Sequence, residues 1–281
     1  MSAPLGTLGE QSMIRKTILS LLGLGWAGAA TADWELNMPR GVTDLSAETY
    51  DLHMLVFWIC VVIGIIVFGA MIWSLIMHRK SKGAEPATFS HSTMAEIIWT
   101  VIPVVILLAM SIPSAETMIR LEDSRDPDIS IVITAYQWKW HYKYQDEDLE
   151  FYSSLARPSV EARRKGSDSD PFAVENYLLD VDRPLVVPKG KKVRLLLTSN
   201  DVVHAWWVPE LAIKKDAIPG IVNEAWFRAN ETGTYRGQCA ELCGKDHGYM
   251  PIVVEVVEAD AYQAWAETRT DNSAQVARME K

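Results

Sequence analysis

Two long apolar stretches in the first half of the chain limit its architecture more than any other feature. Leu55–Met77 and Ile97–Ala115 contain no charged residue, and each approaches the roughly 20 residues that a helix needs to cross a bilayer. Hydrocarbon offers a backbone N–H or C=O no partner outside its own helix, so both stretches are read as transmembrane helices, over about 50–78 and 94–119. Pro103 and Pro113 argue against a long soluble helix in the second. The connection His78-Arg79-Lys80-Ser81-Lys82 is short and basic. That places it on the cytoplasmic side, and it places the mature N-terminus and everything after Ala115 outside.

Upstream, Arg15 and Lys16 precede an apolar run from Ile18 to Ala27 and the small residues Ala30-Thr31-Ala32. This order is that of a cleaved secretory signal over 1–32. A first transmembrane helix is the alternative, weakened by the shortness of the run and by Gly23, Gly25 and Gly28. The expected organisation is then a signal (1–32), a two-helix hairpin (33–123), an external domain (124–258), and a terminal helix and tail (259–281). The 49% of hydrophobic residues is concentrated before residue 116. The net charge of −9 becomes −10 without the signal, and an acidic external domain suits a basic partner and argues against nucleic acid. Three cysteines are too few for a disulfide framework, and Cys60 falls within the first span.

From Asp128 the pattern changes to short β-rich runs: Ile129–Ala135, Tyr136–Tyr144, Tyr177–Val187, Lys192–Thr198, Ala225–Ala229 and Ile252–Val257. Turn residues such as Pro188-Lys189-Gly190 separate them, which predicts an all-β sandwich or small barrel. Ser153–Glu175, rich in Ser, Asp, Arg and Pro, reads as an exposed insertion between strands. Asp260–Thr268 reads as a helix capped by Asp260, followed by a polar, frayed tail.

The chemistry is concentrated in Cys239-Ala240-Glu241-Leu242-Cys243-Gly244-Lys245-Asp246-His247-Gly248-Tyr249-Met250. Thiolate, imidazole and thioether donors favour copper, and a Met in the set argues against structural zinc. A Cys239–Cys243 disulfide is the competing reading. His204 lies 35 positions upstream of Cys239 and supplies a second imidazole. A distant His with a compact loop cluster suits a cupredoxin-like sandwich. Two thiols exceed what one blue-copper ion uses, so the surplus implies two bridged metals.

These residues, with Asp201-x-x-His204-x-Trp206, the aromatic segment Tyr136–Tyr144 and Asp216-Ala217-Ile218-Pro219-Gly220, resemble cytochrome c oxidase subunit II. The resemblance covers most of the mature chain, apart from the insertion and the termini. It implies a membrane-anchored all-β protein, a two-helix transmembrane hairpin followed by a cupredoxin-like Greek-key sandwich. It also implies a binuclear CuA centre on His204, Cys239, Cys243, His247, Met250 and the Glu241 carbonyl. The Glu241 carboxylate would share Mg²⁺ with subunit I, Trp138 would receive the electron from cytochrome c, and Glu96 would stand at the mouth of a proton pathway. Asp201, Asp216, Glu147 and Asp148 would dock a basic cytochrome, while Lys143 stands where the family often has an acid. The implied setting is a bacterial inner membrane, with subunits I and III as partners and haem only in subunit I. No Cys-x-x-Cys-His stretch occurs, so no covalent haem is expected. A membrane-anchored copper carrier would explain the ligands but neither Trp138 nor Glu96, and a quinol oxidase subunit of this shape lacks the copper ligands.

Overall fold

The computed structural model describes residues 37–279; the expected signal, 1–32, lies outside the described residues. Helix α1 (Asp44–Met77) begins six residues before the expected start because Thr43 and Ser46 form a reciprocal cap. The Thr43 hydroxyl accepts from Ser46 N–H at 2.9 Å, and the Ser46 hydroxyl accepts from Thr43 N–H at 3.0 Å. Two of the orphan N–H groups that open a helix are thereby satisfied. Helix α2 (Thr93–Glu122) is capped by Ser92 and contains both Pro103 and Pro113. Both helices are long and apolar enough to cross a membrane, and their apolar side chains, among them Ile65, Phe68, Trp73, Leu107 and Ile112, face outward. The two run antiparallel. Glu48 near the start of α1 accepts from Thr117 Oγ1 at 2.7 Å and from Arg120 Nη1 at 2.9 Å near the end of α2.

Ten strands follow: β1 (Ile129–Tyr136), β2 (Lys139–Tyr144), β3 (Leu149–Ser153), β4 (Leu185–Pro188), β5 (Val193–Ser199), β6 (His204–Val208), β7 (Ile213–Ala217), β8 (Asn223–Phe227), β9 (Gly233–Cys239) and β10 (Pro251–Val257). They form two five-stranded sheets, ordered β3-β2-β1-β5-β8 and β4-β10-β9-β6-β7. Strands β1 and β5 pair in parallel, as do β4 and β10, and the other pairings are antiparallel. Alternation puts Ile131, Ile133, Trp140, Tyr142, Leu195 and Leu197 of one sheet against Leu185, Trp206, Ile252 and Val254 of the other, all fully buried. Each such side chain contributes about 1.5–3 kcal/mol on leaving water. The all-β, cupredoxin-like expectation holds.

Several local expectations shift. Tyr136–Tyr144 is not one strand: it breaks at Gln137-Trp138, a two-residue turn between Tyr136 and Lys139, which pair in register. Trp138 is therefore at a sheet end, while Trp140, Tyr142 and Tyr144 enter the core. Tyr177–Val187 shrinks to β4. Strands β3, β6, β7 and β9 lie outside the six β-rich runs, because segments such as Gly233–Cys239 are polar and glycine-containing and owe their extended form to flanking strands. Ser153–Glu175 is not a bare loop. It carries a short helix α3 (Arg157–Ala162) and a turn at Pro171–Ala173, with Ser153, Leu155, Ala156, Ser159 and Ala162 buried. Small side chains close on the sandwich there without any periodicity to announce it. The last helix, α4 (Ala259–Met279), runs well past Thr268, and its Tyr262 and Trp265 rings lie tilted at 5.8 Å, with the Trp265 ring 5.7 Å from that of Tyr144.

Candidate metal centre

His204 opens β6, Cys239 closes β9, and these strands are neighbours, with Trp206 opposite Cys239. Position alone therefore brings the distant histidine to the loop that joins β9 to β10. That loop folds back through Cys239 N–H to Met250 C=O (3.0 Å) and Ala240 N–H to Ala205 C=O (3.0 Å). The β1–β2 turn reaches the same end from the other sheet. Gln137 Nε2 and Trp138 Nε1 both donate to the Cys243 carbonyl, at 2.8 and 3.3 Å. Gly237 makes the strand contact feasible, since a Cβ there would stand 1.9 Å from the Trp207 carbonyl oxygen.

One nitrogen of His204 and the sulfurs of Cys239 and Cys243 lie within 4.8 Å of one another, and all three residues are buried. Cys239 and Cys243 are free thiols with their sulfurs 3.8 Å apart. His204 Nδ1 lies 3.8 Å from Cys239 Sγ, and His247 Nδ1 lies 3.5 Å from Cys243 Sγ. Asp201 Oδ1 holds His204 Nε2 at 2.9 Å. A proton on Nε2 leaves Nδ1 as the lone pair aimed at the sulfurs, as metal-binding imidazoles require. The Glu241 carbonyl accepts from Cys239 Sγ at 3.3 Å, and Met250, at the end of the loop, is buried. Burial opposes ionisation of Cys239, but the His204 imidazole and the Ala205 and Glu241 N–H groups outweigh it and lower its pKa to about 7. Burial and the neighbouring Cys239 charge push Cys243 up to about 12. Burial disfavours the His204 imidazolium, yet Cys239 and Asp201 raise its pKa overall.

Of the other residues singled out in the sequence, some converge here and some do not. Trp138 is half-buried beside Cys243, with Lys245 Nζ 5.6 Å from its ring centroid. Asp201, exposed at the same end of the sandwich, accepts from Gln137 N–H at 2.7 Å besides holding His204. Asp216 is exposed on β7, opposite Ala205. Glu147 and Asp148 lie in the β2–β3 turn, at the other end of a six-residue strand, about 20 Å from Trp138 at 3.4 Å per residue. Glu147 is engaged there by the Tyr262 hydroxyl at 2.8 Å. Glu96 is in the first turn of α2, about 40 Å along the helix from Glu122 at 1.5 Å per residue. Gln137 was not singled out in the sequence, because its partner, the Cys243 carbonyl, lies 106 positions away.

Two family models match, the cytochrome c oxidase subunit II transmembrane domain over residues 31–117 and the subunit II periplasmic domain over 129–257. The chain belongs to the cytochrome c oxidase subunit II family. A probable cytochrome c oxidase subunit 2 from Rickettsia bellii is 35% identical, with 90% of this chain and 93% of the relative covered. Cytochrome c oxidase subunit 2 of Cereibacter sphaeroides is 36% identical over 77% of this chain and 75% of its own length. Among solved structures, the periplasmic domain of subunit II of cytochrome oxidase (CoxB) of Bradyrhizobium japonicum is 40% identical. It covers 53% of this chain and 98% of that one, with a TM-score of 0.45.

Membership makes this chain a membrane-anchored part of an oxidoreductase, and the donor set agrees with the copper centre of the family. Two buried thiols and an imidazole with its lone pair free form a soft, nitrogen- and sulfur-rich set that suits copper. The outer support that such a site needs is present in Asp201, Gln137 and Trp138.

Proposed function

We propose that this chain is the electron-accepting subunit of a terminal cytochrome c oxidase in a bacterial inner membrane. In this reading His204, Cys239, Cys243, His247, Met250 and the Glu241 carbonyl hold a binuclear copper centre, which would supply one-electron redox chemistry with little change in geometry. Trp138 receives the electron from cytochrome c. Its indole N–H is bonded to the backbone of Cys243 at 3.3 Å, which gives a direct covalent and hydrogen-bonded route to a ligand. Asp201 fixes the His204 tautomer, and the buried setting excludes water from the thiols. The Glu241 side chain is exposed and free to share Mg²⁺ with subunit I, where the haem resides. Glu96 opens a proton pathway at the cytoplasmic end of the hairpin, and subunits I and III surround the two helices. Asp216 and the acids of the β2–β3 turn attract a basic cytochrome at long range, an effect on association rate that weakens with salt.

The observation that carries this reading is the convergence of His204, Cys239 and Cys243 within 4.8 Å, with the second imidazole nitrogen already occupied. The purified membrane complex is expected to contain two coppers on this chain and to show one unpaired electron shared by both in paramagnetic resonance. A single-copper signal would sink the binuclear assignment. A chain that purifies without a haem-bearing subunit would favour a copper carrier.

A further inference from the structure

The sequence left Ser153–Glu175 without a role. In the fold it is tied down at both stems and rests on the metal loop. Leu155 bridges Val181, Ala156 N–H donates to Asp180 C=O at 2.9 Å, and Ser154 N–H donates to Asp182 Oδ1 at 2.7 Å. Ser159, on α3, accepts from Leu178 N–H at 3.1 Å. At the end of α3, Arg163 reaches out to the loop. Its Nη1 lies 3.4 Å from Asp246 Oδ1, and its guanidinium carbon lies 4.2 Å from the Tyr249 ring centroid. Asp246 and Tyr249 bracket His247. A second tie, Asp180 to Arg236 at 3.5 Å, grips β9 three residues before Cys239.

We propose that the inserted segment is a brace for the metal loop and that Arg163 is its positioning residue. The loop is held on its Cys243 side by Gln137 and Trp138; Arg163 holds the other side. A cavity of about 190 Å³, lined by Trp138, Leu155, Val160, Arg163, Asp246 and Tyr249, separates the two supports. At this cavity the loop is held by its two anchors, in addition to the backbone ties at its ends. The side chains of Arg163 and Asp246 are only 29% and 25% exposed, so their charges are less screened than those of a surface pair. Arg163 acts twice. It fixes the direction of the His247 imidazole, and it neutralises Asp246 next to a centre that changes charge by one electron.

This inference rests on the copper reading above, and the test separates the two. In the purified oxidase, Arg163→Gln leaves the Asp246 carboxylate uncompensated, which favours the oxidised state and lowers the midpoint potential of the copper centre. Asp246→Asn acts in the opposite direction and raises it, and the double variant returns close to the parent. Both single variants lose copper to a chelator roughly ten-fold faster or more, the usual range for a lost outer-shell partner. Arg163→Lys retains the potential but only part of the copper retention, because an ammonium cannot stack its plane on Tyr249. Unchanged potentials, or shifts of the same sign in the two single variants, overturn the proposal. If Arg163→Gln fails to assemble, Asp246→Asn and Tyr249→Leu carry the test: copper loss at the parent's rate in both overturns it. A parent complex with no copper on this chain would instead overturn the copper reading itself.

Discussion

Asp201 accepts four hydrogen bonds on one carboxylate, from His204 Nε2, Gln137 N–H, Val202 N–H and Ser199 Oγ, at 2.9, 2.7, 2.7 and 3.3 Å. Burial works against the charge, but these donors outweigh it and hold the pKa below the usual carboxylate range. Asp201→Ala should release the imidazole and strand the Gln137 N–H. The expected loss is 10- to 100-fold in copper affinity, measured by competition with a chelator. Gly237 makes a sterically absolute demand. The group that would meet a new Cβ at 1.9 Å is the Trp207 backbone carbonyl, and backbone cannot rotate away. Gly237→Ala should destabilise the domain by about 3 kcal/mol or more, the upper range for overpacking, read by thermal unfolding.

At the scale of elements, the two sheets are joined by a polar contact as well as by the core. The Tyr144 hydroxyl, on β2, donates to Val186 C=O at 2.6 Å and accepts from Val186 N–H at 3.2 Å on β4. Tyr144 is fully buried, and burial raises its pKa well above the ordinary value, so it remains a donor at all accessible pH. Tyr144→Phe should leave two backbone groups of β4 without that partner and cost about 1–3 kcal/mol. Faster amide exchange at Val186, with the copper spectrum unchanged, is the expected signature. The hydrophobic alternation of β1 and β5 was legible in the sequence because both strands carry their own apolar pattern. Strands β6 and β7 were not, since Ile213-Lys214-Lys215-Asp216-Ala217 is polar and extended only because β6 lies beside it. The brace around α3 was equally hidden, because it is held by backbone ties to residues 178–182 and by one arginine.

For the whole molecule, the joint between hairpin and sandwich is electrostatic and aromatic. Lys192 Nζ donates to the carbonyls of Asp123 and Arg125 at 2.8 and 2.6 Å and lies 4.4 Å from the Trp226 ring centroid. Trp226 Nε1 donates to Arg120 C=O at 3.0 Å, and the Asp128 carboxylate accepts from Lys192 N–H at 2.7 Å. That N–H bond, reinforced by Lys191, lowers the Asp128 pKa. A depressed carboxylate pKa adds stability that is fully present above the unfolded value and is lost as pH falls through the folded one. Protein with Asp128 should therefore lose stability at the joint below about pH 4, by under about 1 kcal/mol for a partly exposed group. Asp128→Asn should be less stable at neutral pH and should lack that acid-dependent component, measured by melting temperature between pH 3 and 7.

What the sequence by itself determined was everything written in local pattern: two spans set by uninterrupted apolar length, a β-rich external domain set by alternation and turns, and a soft ligand set written as Cys239-x-x-x-Cys243-x-x-x-His247. The tertiary structure decided what those residues face. It brought His204 to the loop through the pairing of β6 with β9 and gave the exposed Asp201 the further part of anchoring His204. It also moved Glu147 and Asp148 to the far end of the sheet and set the insertion against Asp246 and Tyr249. The physical reason is the same throughout. A ligand type or a hydrophobic period is a property of neighbouring residues, whereas the meeting of His204 with Cys239, of Gln137 with Asp201 and of Gln137 with Cys243 joins groups 35, 64 and 106 positions apart that only the closed sandwich brings together.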